Sequence, residues 1–497
     1  MAYVGKERTK GMEISQLNPR EVFSIFEELS RIPRGSGNTK AIGEYCVAFA
    51  RERGFEASRD AVGNVLIRKN GQNGGEKSPV LIVQGHLDMV CEKTAESAHD
   101  FEKDPLELLV EDGFVRAKDT TLGADDGIAI AYALALLDSK EIPHPPLELL
   151  FTVDEETGMD GATTLDMSAL KGNLLLNIDS EDEGILTVGC AGGFTFDVTQ
   201  KLSRELREGM ELELSIGGLH GGHSGVEIHK QLGNACKLAG RLLGRLQDET
   251  KATLFSIDGG GKGNVIPADC RMHVLVDPAY LEAAESIAAE TLSHWKRIYG
   301  DCEENLCLDI ERKGMQTRMA LCAEDTGKVA DFIRLCPDGV YEYSRHLEGQ
   351  VETSDNLGIV QTDEKEIHYQ LLVRSLDEFK AEELKDVLIR LCRLLDEQAF
   401  SYQVSGAYLA WKYQEHSRMR EVSVAAYREL YREDPIVETI HAGLECGILQ
   451  GKKPDLDSIS MGPQMYDIHS CKERLDIAST QRTWELIKAI LKRLLVL

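Results

Sequence analysis

No stretch of this sequence approaches the apolar length of a membrane span, so membrane-crossing helices are not expected. No C-x-x-C pair occurs either. The twelve cysteines are scattered, and the nearest two, Cys302 and Cys307, fit no standard zinc spacing. Cys46, Cys190, Cys236 and Cys392 lie in apolar surroundings and read as small core residues. Free thiols in such number suit a reducing cytosol. Basic charge is also short. The 84 acidic and 56 basic side chains leave a formal charge of -28, which argues against nucleic-acid backbones and anionic membranes as partners. Residues Met1 to Met12 are charged and lack an apolar h-region, so no signal peptide is expected. Internal repeats, linkers and low-complexity stretches are missing. These absences predict a soluble, cytoplasmic protein.

Three familiar motifs also fail. Gly222-His223-Ser224-Gly225-Val226 lacks the final glycine of a G-x-S-x-G nucleophile elbow. Gly259-Gly260-Gly261-Lys262-Gly263-Asn264 has glycine where a phosphate-binding Walker A loop needs Ser or Thr. Paired carboxylates alone would suit glycoside hydrolysis, yet that reading leaves the histidines described next without a task.

What the chain does hold is a set of His and carboxylate residues placed where apolar runs end. Val80-Leu81-Ile82-Val83 leads to His86 and Asp88, Leu149 to Val153 leads to Glu155-Glu156, and Leu174 to Ile178 leads to Asp179. Asp125-Asp126 precedes an apolar helical run, and His469 lies near the far end. Apolar runs of this length between helical stretches predict buried strands of a largely parallel sheet. Ligands bind outside the carboxyl ends of such strands. So much negative charge in one crevice needs a cation, and mixed His/carboxylate donors suit zinc or its first-row neighbours. Taken one at a time the same residues have plainer uses: a His–carboxylate pair in a core, a helix N-cap, a solvated loop. Their joint occurrence after successive strands favours the metal site. His441 and His229 are further candidates that no spacing requires, while His99 and His144 read as surface-loop residues.

At 497 residues, with 42% of them hydrophobic, the chain is expected to form two or three domains. The first helix is predicted from Asn18 as N-cap, Pro19 at N1 and Glu21 at N3. The second runs from Asn38 to about Arg53, ended by Gly54, and residues 61–67 read as a strand. A helix is expected from near Gly127 to Leu137. After Gly192 the pieces 194–199, 211–216, 270–276 and 366–374 alternate like half-exposed strands, with helical spacing at 231–246 and 378–396. From about Ala410 helix and apolar strand resume, ending in a helix from Ser479. The expected fold is α/β: a catalytic domain with a mostly parallel central sheet flanked by helices, split into segments 1–192 and 408–497. An inserted α+β lid or dimerisation domain occupies 193–407.

Gly85-His86-Leu87-Asp88-Met89-Val90, Thr121 to Gly127 and Asp154-Glu155-Glu156-Thr157-Gly158 resemble the di-zinc peptidase family that includes carboxypeptidase G, aminoacylase and peptidase T. Gly221 to His229 and Ile440-His441-Ala442-Gly443-Leu444-Glu445-Cys446-Gly447 narrow the likeness to its aminoacyl-histidine dipeptidases, over essentially the whole chain. His86 and Asp88, two apart on an extended segment, point to one side, so Asp88 can hold the ring of His86 in its ligating tautomer. The resemblance implies two zinc ions per chain, with cobalt or manganese as possible substitutes. It assigns Asp125, Glu156 and His469 to one and His86, Asp125 and Asp179 to the other, with Asp125 as the bridge and an unusual peptide bond to Asp126. Glu155 is then the general base for the attacking water. In an extended backbone Glu155 and Glu156 would diverge. His223 resembles a histidine that reaches across a homodimer into the partner's site. Asn264, Arg374 and Gly443 match substrate-binding positions.

The activity this implies is hydrolysis of unblocked dipeptides, Xaa-His and β-alanyl-histidine among them. The main rival is an N-acyl amino acid amidohydrolase or carboxypeptidase of the same family. Asp at position 179, where the resemblance places Glu in acylases and carboxypeptidases, favours a substrate with a free amino end. A non-catalytic dimeric binding protein of this fold would be expected to have lost donors or the base, and here none is lost.

Overall fold

A computed structural model describes residues 13–495, so the expected absence of a signal peptide at Met1 to Met12 lies outside the described residues. Two compact units form. The first contains the described residues up to Gly189 together with Trp411–Thr439 and those from Leu444 onward. The second contains Cys190–Ala410 and the short return Ile440–Gly443. That return has no compositional mark, so it differs from the expected last segment 408–497 without a signal in the sequence. Among the described residues no helix is long and apolar enough to cross a membrane.

The first unit is built on an eight-stranded sheet whose centre is parallel. Leu147–Thr152, Leu81–His86, Leu174–Asn177 and Asp457–Ser460 lie side by side in that order, all pointing the same way. Their runs are apolar because both faces are covered: every residue of Leu81–His86 and Leu147–Thr152 is buried. The flanks are antiparallel, which makes the sheet mixed. Glu56–Arg59 and Val65–Lys69 form a hairpin because Asp60 Oδ1 accepts the backbone N–H groups of Val62, Gly63 and Asn64 at 3.1, 2.8 and 2.9 Å. That turn also shortens the expected 61–67 strand to Val65–Lys69. A helix apolar on all sides must be buried. Ala124–Asp138 obeys this, with Asp138 alone not buried.

Local differences from expectation have side-chain causes. The first helix is Arg20–Leu29 with Pro19, not Asn18, at its N-cap. Glu21 does not reach back to cap it and instead accepts Trp484 Nε1–H at 2.9 Å. The second helix, Lys40–Glu52, starts after Thr39. The last, Ile477–Arg493, is capped by Asp476, which accepts Ser479 N–H at 2.7 Å. A small sheet absent from the sequence reading pairs Arg474–Asp476 with Phe114–Ala117, in the register Leu475↔Val115. It brings the C-terminal segment beside the chain that leads into Ala124–Asp138.

The second unit is a ten-stranded sheet with antiparallel neighbours. Its longest antiparallel pairing joins Arg204–Gly217 to Cys307–Leu321, which lie far apart in sequence. Gly192–Lys201 lies between Glu366–Ser375 and Phe400–Tyr408. Helices Ala235–Thr250, Leu281–Tyr299, Ala323–Leu335 and Glu378–Asp396 add their apolar sides to its core. Cys46, Cys190, Cys236 and Cys392 are buried and unbridged, as expected of small core residues.

His144 is not a surface residue. It is fully buried, its backbone pairs with Gln72, and its Nδ1 lies 2.6 Å from the Pro145 carbonyl, to which it donates, while Nε2 has no partner. Burial holds this ring down at about 4, against an ordinary 6.5. Between those values the unfolded chain carries a proton that the folded one refuses. Stability therefore falls as pH drops through this window, by on the order of 3 kcal/mol over its full width. His144→Asn keeps a donor for Pro145 and should flatten that part of the slope in urea unfolding. A slope equal to that of the native protein would disprove the assignment.

Candidate metal centre

Three of the four parallel strands bring donor residues to one edge, at or just past their carboxyl ends. His86 is the last residue of its strand, Asp179 follows Asn177 by two positions, and Glu155 follows Thr152 by three. Asp125 comes from the first turn of Ala124–Asp138, where Asp125 and Asp126 depart from helical angles and share a cis peptide bond. His469 comes from the loop before Arg474–Asp476 and has a positive φ of 58°.

Asp125 stands at the middle of the cluster. Its Oδ1 is 3.0 Å from His86 Nε2 and its Oδ2 is 3.0 Å from His469 Nε2. His86 Nε2 also lies 3.4 Å from Asp179 Oδ1, and His469 Nε2 lies 3.0 Å from Glu156 Oε2. Two donor groups result, His86–Asp125–Asp179 and Asp125–Glu156–His469, each with its donor atoms within 4.8 Å of one another, and Asp125 belongs to both. A third grouping joins His86 to Glu155 and Glu156. The divergence expected of an extended backbone does not occur: Glu155 and Glu156 open the short helix Glu155–Gly158, and a carboxylate oxygen of each lies within 4.8 Å of the other. Asp88 explains how that turn is held. Its oxygens accept Glu155 N–H at 3.1 Å, Glu156 N–H at 3.3 Å and Ser36 Oγ–H at 2.8 Å, and Oδ1 faces His86 Nδ1 at 3.4 Å.

The electrostatics are those of a site with too many carboxylates. Burial drives Glu155 well above the ordinary carboxylate range, helped by negative Asp179, Glu445 and Glu156. It does the same to Asp126, and lifts Asp179 to about 6. Against that same burial penalty, hydrogen bonds from His469 and His86 keep Asp125 well below its usual range, and the facing His86 ring with the Ser36 hydroxyl holds Asp88 at about 2. The histidines respond in kind. Asp125 and Glu156 raise His469 to about 11, and His86 is raised well above normal by Asp179, Asp125 and Asp88 although its burial opposes this. Two imidazoles thus face the carboxylates directly. Those imidazole nitrogens and carboxylate oxygens are the donor types that first-row divalent cations take. Buried Glu156 Oε1, without a hydrogen-bond partner, is a further free donor. The residues fit a metal.

Some of the supporting residues have no motif to announce them. Glu445 Oε2 accepts Gln84 Nε2–H and Thr152 Oγ1–H, each at 2.6 Å, and Asn177 Nδ2 donates to Gln84 Oε1 at 2.6 Å, so one buried network joins three strand ends. Asp126 Oδ2 accepts His86 N–H at 3.1 Å, packed against the bare Cα of Gly85.

His223, Asn264, Arg374 and Gly443 lie in the second unit. His223 Nδ1 accepts the N–H groups of Gly225 and Val226 at 3.2 and 3.0 Å. The neutral ring therefore carries its proton on Nε2, and burial with the nearby Arg374 charge lowers its pKa. Asn264 accepts Ser224 N–H at its carbonyl, tying its loop to that of His223. Arg374 is buried at 6% exposure; its Nη1 donates to Tyr408 Oη at 2.6 Å, its Nε has no partner, and among the described residues no carboxylate pairs with it. His441 is no metal donor here. Its Nε2 is 2.7 Å from Ser354 Oγ, and burial lowers it to about 3, with help from Arg374. His229 likewise belongs to none of the donor groups.

Sheet, strand ends and donor groups are those of a metal-dependent hydrolase. The chain belongs to Peptidase family M20/M25/M40, whose profile matches residues 82–493. It is 36% identical over 484 residues to the cytosol non-specific dipeptidase of Escherichia coli (strain K12), covering 97% of this chain and 99% of that protein. Among solved structures it is similar to the aminoacylhistidine dipeptidase from Vibrio alginolyticus, with TM-score 0.90, 35% identity and coverage of 97% of this chain and 98% of that one. The aminopeptidase PepT from Bacillus cereus shares the fold at TM-score 0.57 and 15% identity, over 96% and 99% of the two chains. The protein is thus a peptide hydrolase of this family.

The packing at Gly85 supplies a test. A Cβ there would lie 2.4 Å from Asp126 Oδ2 and 2.7 Å from Ala129 Cβ, both buried. Gly85→Ala should cost about 1–3 kcal/mol in denaturant unfolding of the metal-free protein, and should weaken metal uptake by displacing His86. Native stability in this variant would show that the strand end yields freely.

Proposed function

We propose that the chain is a cytoplasmic, homodimeric di-zinc dipeptidase that hydrolyses the peptide bond of unblocked dipeptides, Xaa-His and β-alanyl-histidine among them. The observation that carries this reading is the pair of donor groups sharing Asp125, with Glu155 alongside. Asp125, Glu156 and His469 would hold one zinc and His86, Asp125 and Asp179 the other, with cobalt or manganese as substitutes. Bound zinc lowers the pKa of water and polarises a carbonyl.

The chain's own residues do the rest. The Glu155 carboxylate takes a proton from the attacking water and delivers one to the leaving amine nitrogen. Asp88 fixes the ring of His86 and, through two backbone N–H groups, the turn bearing Glu155. His223, with its proton on Nε2, is a donor for the developing oxyanion, supplied by the other subunit of the dimer. Arg374, buried without a carboxylate partner among the described residues, suits the free carboxylate of a dipeptide. Asn264 and Gly443 are assigned to further substrate contacts. Asp179 and the similarity to dipeptidases of known structure favour an unblocked substrate over an N-acylated one.

Metal stoichiometry and a substrate panel test this together. About two metals per chain with cleavage confined to unblocked dipeptides is the expected result. Cleavage of N-acetylated Ala-His alone would shift the reading to an amidohydrolase. Glu155→Gln should lose on the order of 10²–10⁴ in kcat while still binding metal. His223→Ala should lose about 10²–10³. Mixing these two inactive variants tests the trans role. A mixed dimer has one site with an intact Glu155 and a partner's intact histidine, so activity should reappear. No recovery on subunit exchange would place His223 in its own subunit's site.

A further inference from the structure

Two buried side chains of opposite charge converge on the turn that carries Asp125, and neither belongs to a donor group. Glu473 Oε2 accepts the backbone N–H groups of Leu122 at 2.7 Å and Gly123 at 2.9 Å, and Oε1 accepts those of Ala124 at 2.8 Å and Asp125 at 3.5 Å. These groups open the helix Ala124–Asp138, where backbone N–H groups lack helical partners and the helix dipole favours an anion. An ordinary cap is local, but this one arrives from 350 positions away. Arg34 holds the other side. Its guanidinium donates to the carbonyls of Leu87 at 3.0 Å, Asp88 at 2.9 Å and Gly123. Side chains at Gly123 and Gly127 would meet Arg34 Nη2 at 2.6 and 2.5 Å, so both glycines keep the space it fills.

The connections decide what this arrangement does. Glu473 follows His469 by four residues and enters the strand Arg474–Asp476, which is paired to Phe114–Ala117. One carboxylate therefore ties the His469 segment to the Asp125 turn. One guanidinium ties that turn to the residues just past His86. The three segments are irregular, so their side-chain rotamers alone do not fix donor separations, and metal geometry tolerates about half an ångström of error. We propose that Arg34 and Glu473 form a buried clamp that sets the positions of His86, Asp125 and His469, with Glu473 the positioning residue for the last two. The inference rests on the proposed metal centre.

Glu473→Gln is nearly isosteric but has one acceptor oxygen in place of two, and it turns an NH₂ toward backbone donors. Cobalt(II) titration of the full-length metal-free protein tests it, read by d–d absorption and by competition with a chromophoric chelator. The native chain should take up two ions. Glu473→Gln should bind about 10–100-fold more weakly with an altered d–d band, and Glu473→Asp should recover part of the loss. Leu134→Ala, a cavity on the same helix, should lower the melting temperature without moving affinity or spectrum. Unchanged binding in Glu473→Gln, or an equal loss in Leu134→Ala, overturns the clamp and leaves the metal centre standing. No uptake by the native chain overturns both. Should Glu473→Gln not fold, Arg34→Lys, which keeps the charge and loses the fork, is read in the same way.

Discussion

Excess negative charge buried at the carboxyl edge of a parallel sheet is the constraint to which the first unit answers. Asp88, Asp125, Asp126, Glu155, Glu156, Asp179, Glu445 and Glu473 crowd this edge, and each unneutralised carboxylate in such a place costs several kcal/mol. The chain disposes of them one by one. Asp88 receives two backbone N–H groups and a serine hydroxyl, and Glu473 receives four N–H groups beside Arg34. Glu445 takes Gln84 and Thr152. Asp126, with one backbone N–H and its Oδ1 unpaired, is pushed by burial toward its protonated form. After these are satisfied, the remainder is Asp125, Glu156 and Asp179 facing two imidazoles, with Glu155 at their side. The donor set is defined as much by what has been neutralised around it as by the residues themselves.

Rigidity under this edge comes from ordinary apolar packing. The helix Ala124–Asp138 is buried along nearly its whole length, and Tyr132 stacks on Trp484 with ring centroids 5.8 Å apart while its hydroxyl donates to the Thr480 carbonyl at 2.8 Å. The C-terminal helix is thereby fixed to the helix that presents Asp125. Because the antiparallel pairing of Arg474–Asp476 joins the same region, His469 is placed by contacts more than 300 residues distant in sequence. A site assembled this way forms only once the first and last segments of the chain have met, so its donors share the stability of the whole unit.

The legible part of the chain was the part where chemistry and periodicity coincide. Apolar runs of four to six residues ending in His86, Glu155 and Asp179 announce both the strands and the donors, and a motif set in fixed order announces the family. The antiparallel flanks were less visible because a buried strand looks alike in either direction; only Asp60 and its turn decide it for Glu56–Arg59 and Val65–Lys69. Glu473 and Arg34 were invisible for a different reason. A buried carboxylate bonded to backbone N–H groups leaves no trace in the spacing of neighbouring residues. Asp476 does leave one, standing three residues before Ser479. His144 misled because Ile-Pro-His-Pro-Pro reads as exposed loop, whereas its backbone bridge to Gln72 draws the ring inside. The return Ile440–Gly443 carries no signal of composition at all.

The second unit poses the opposite electrostatic problem. Where the first unit buries surplus carboxylates, the second buries Arg374 with a tyrosine hydroxyl and, among the described residues, no carboxylate. Its neighbours are arranged not to add charge. Burial keeps His441 neutral with its Nε2 against Ser354, and His223 is held as a neutral donor by two backbone N–H groups. A buried guanidinium costs free energy unless an anion arrives, so an arrangement that leaves it unpaired is selective for a ligand that brings one. A dipeptide brings its carboxylate one residue from the scissile bond. A longer peptide carries its carboxylate farther away, and an esterified or amidated one has none. On the proposed reading, the free carboxylate of the substrate is the anion that Arg374 lacks.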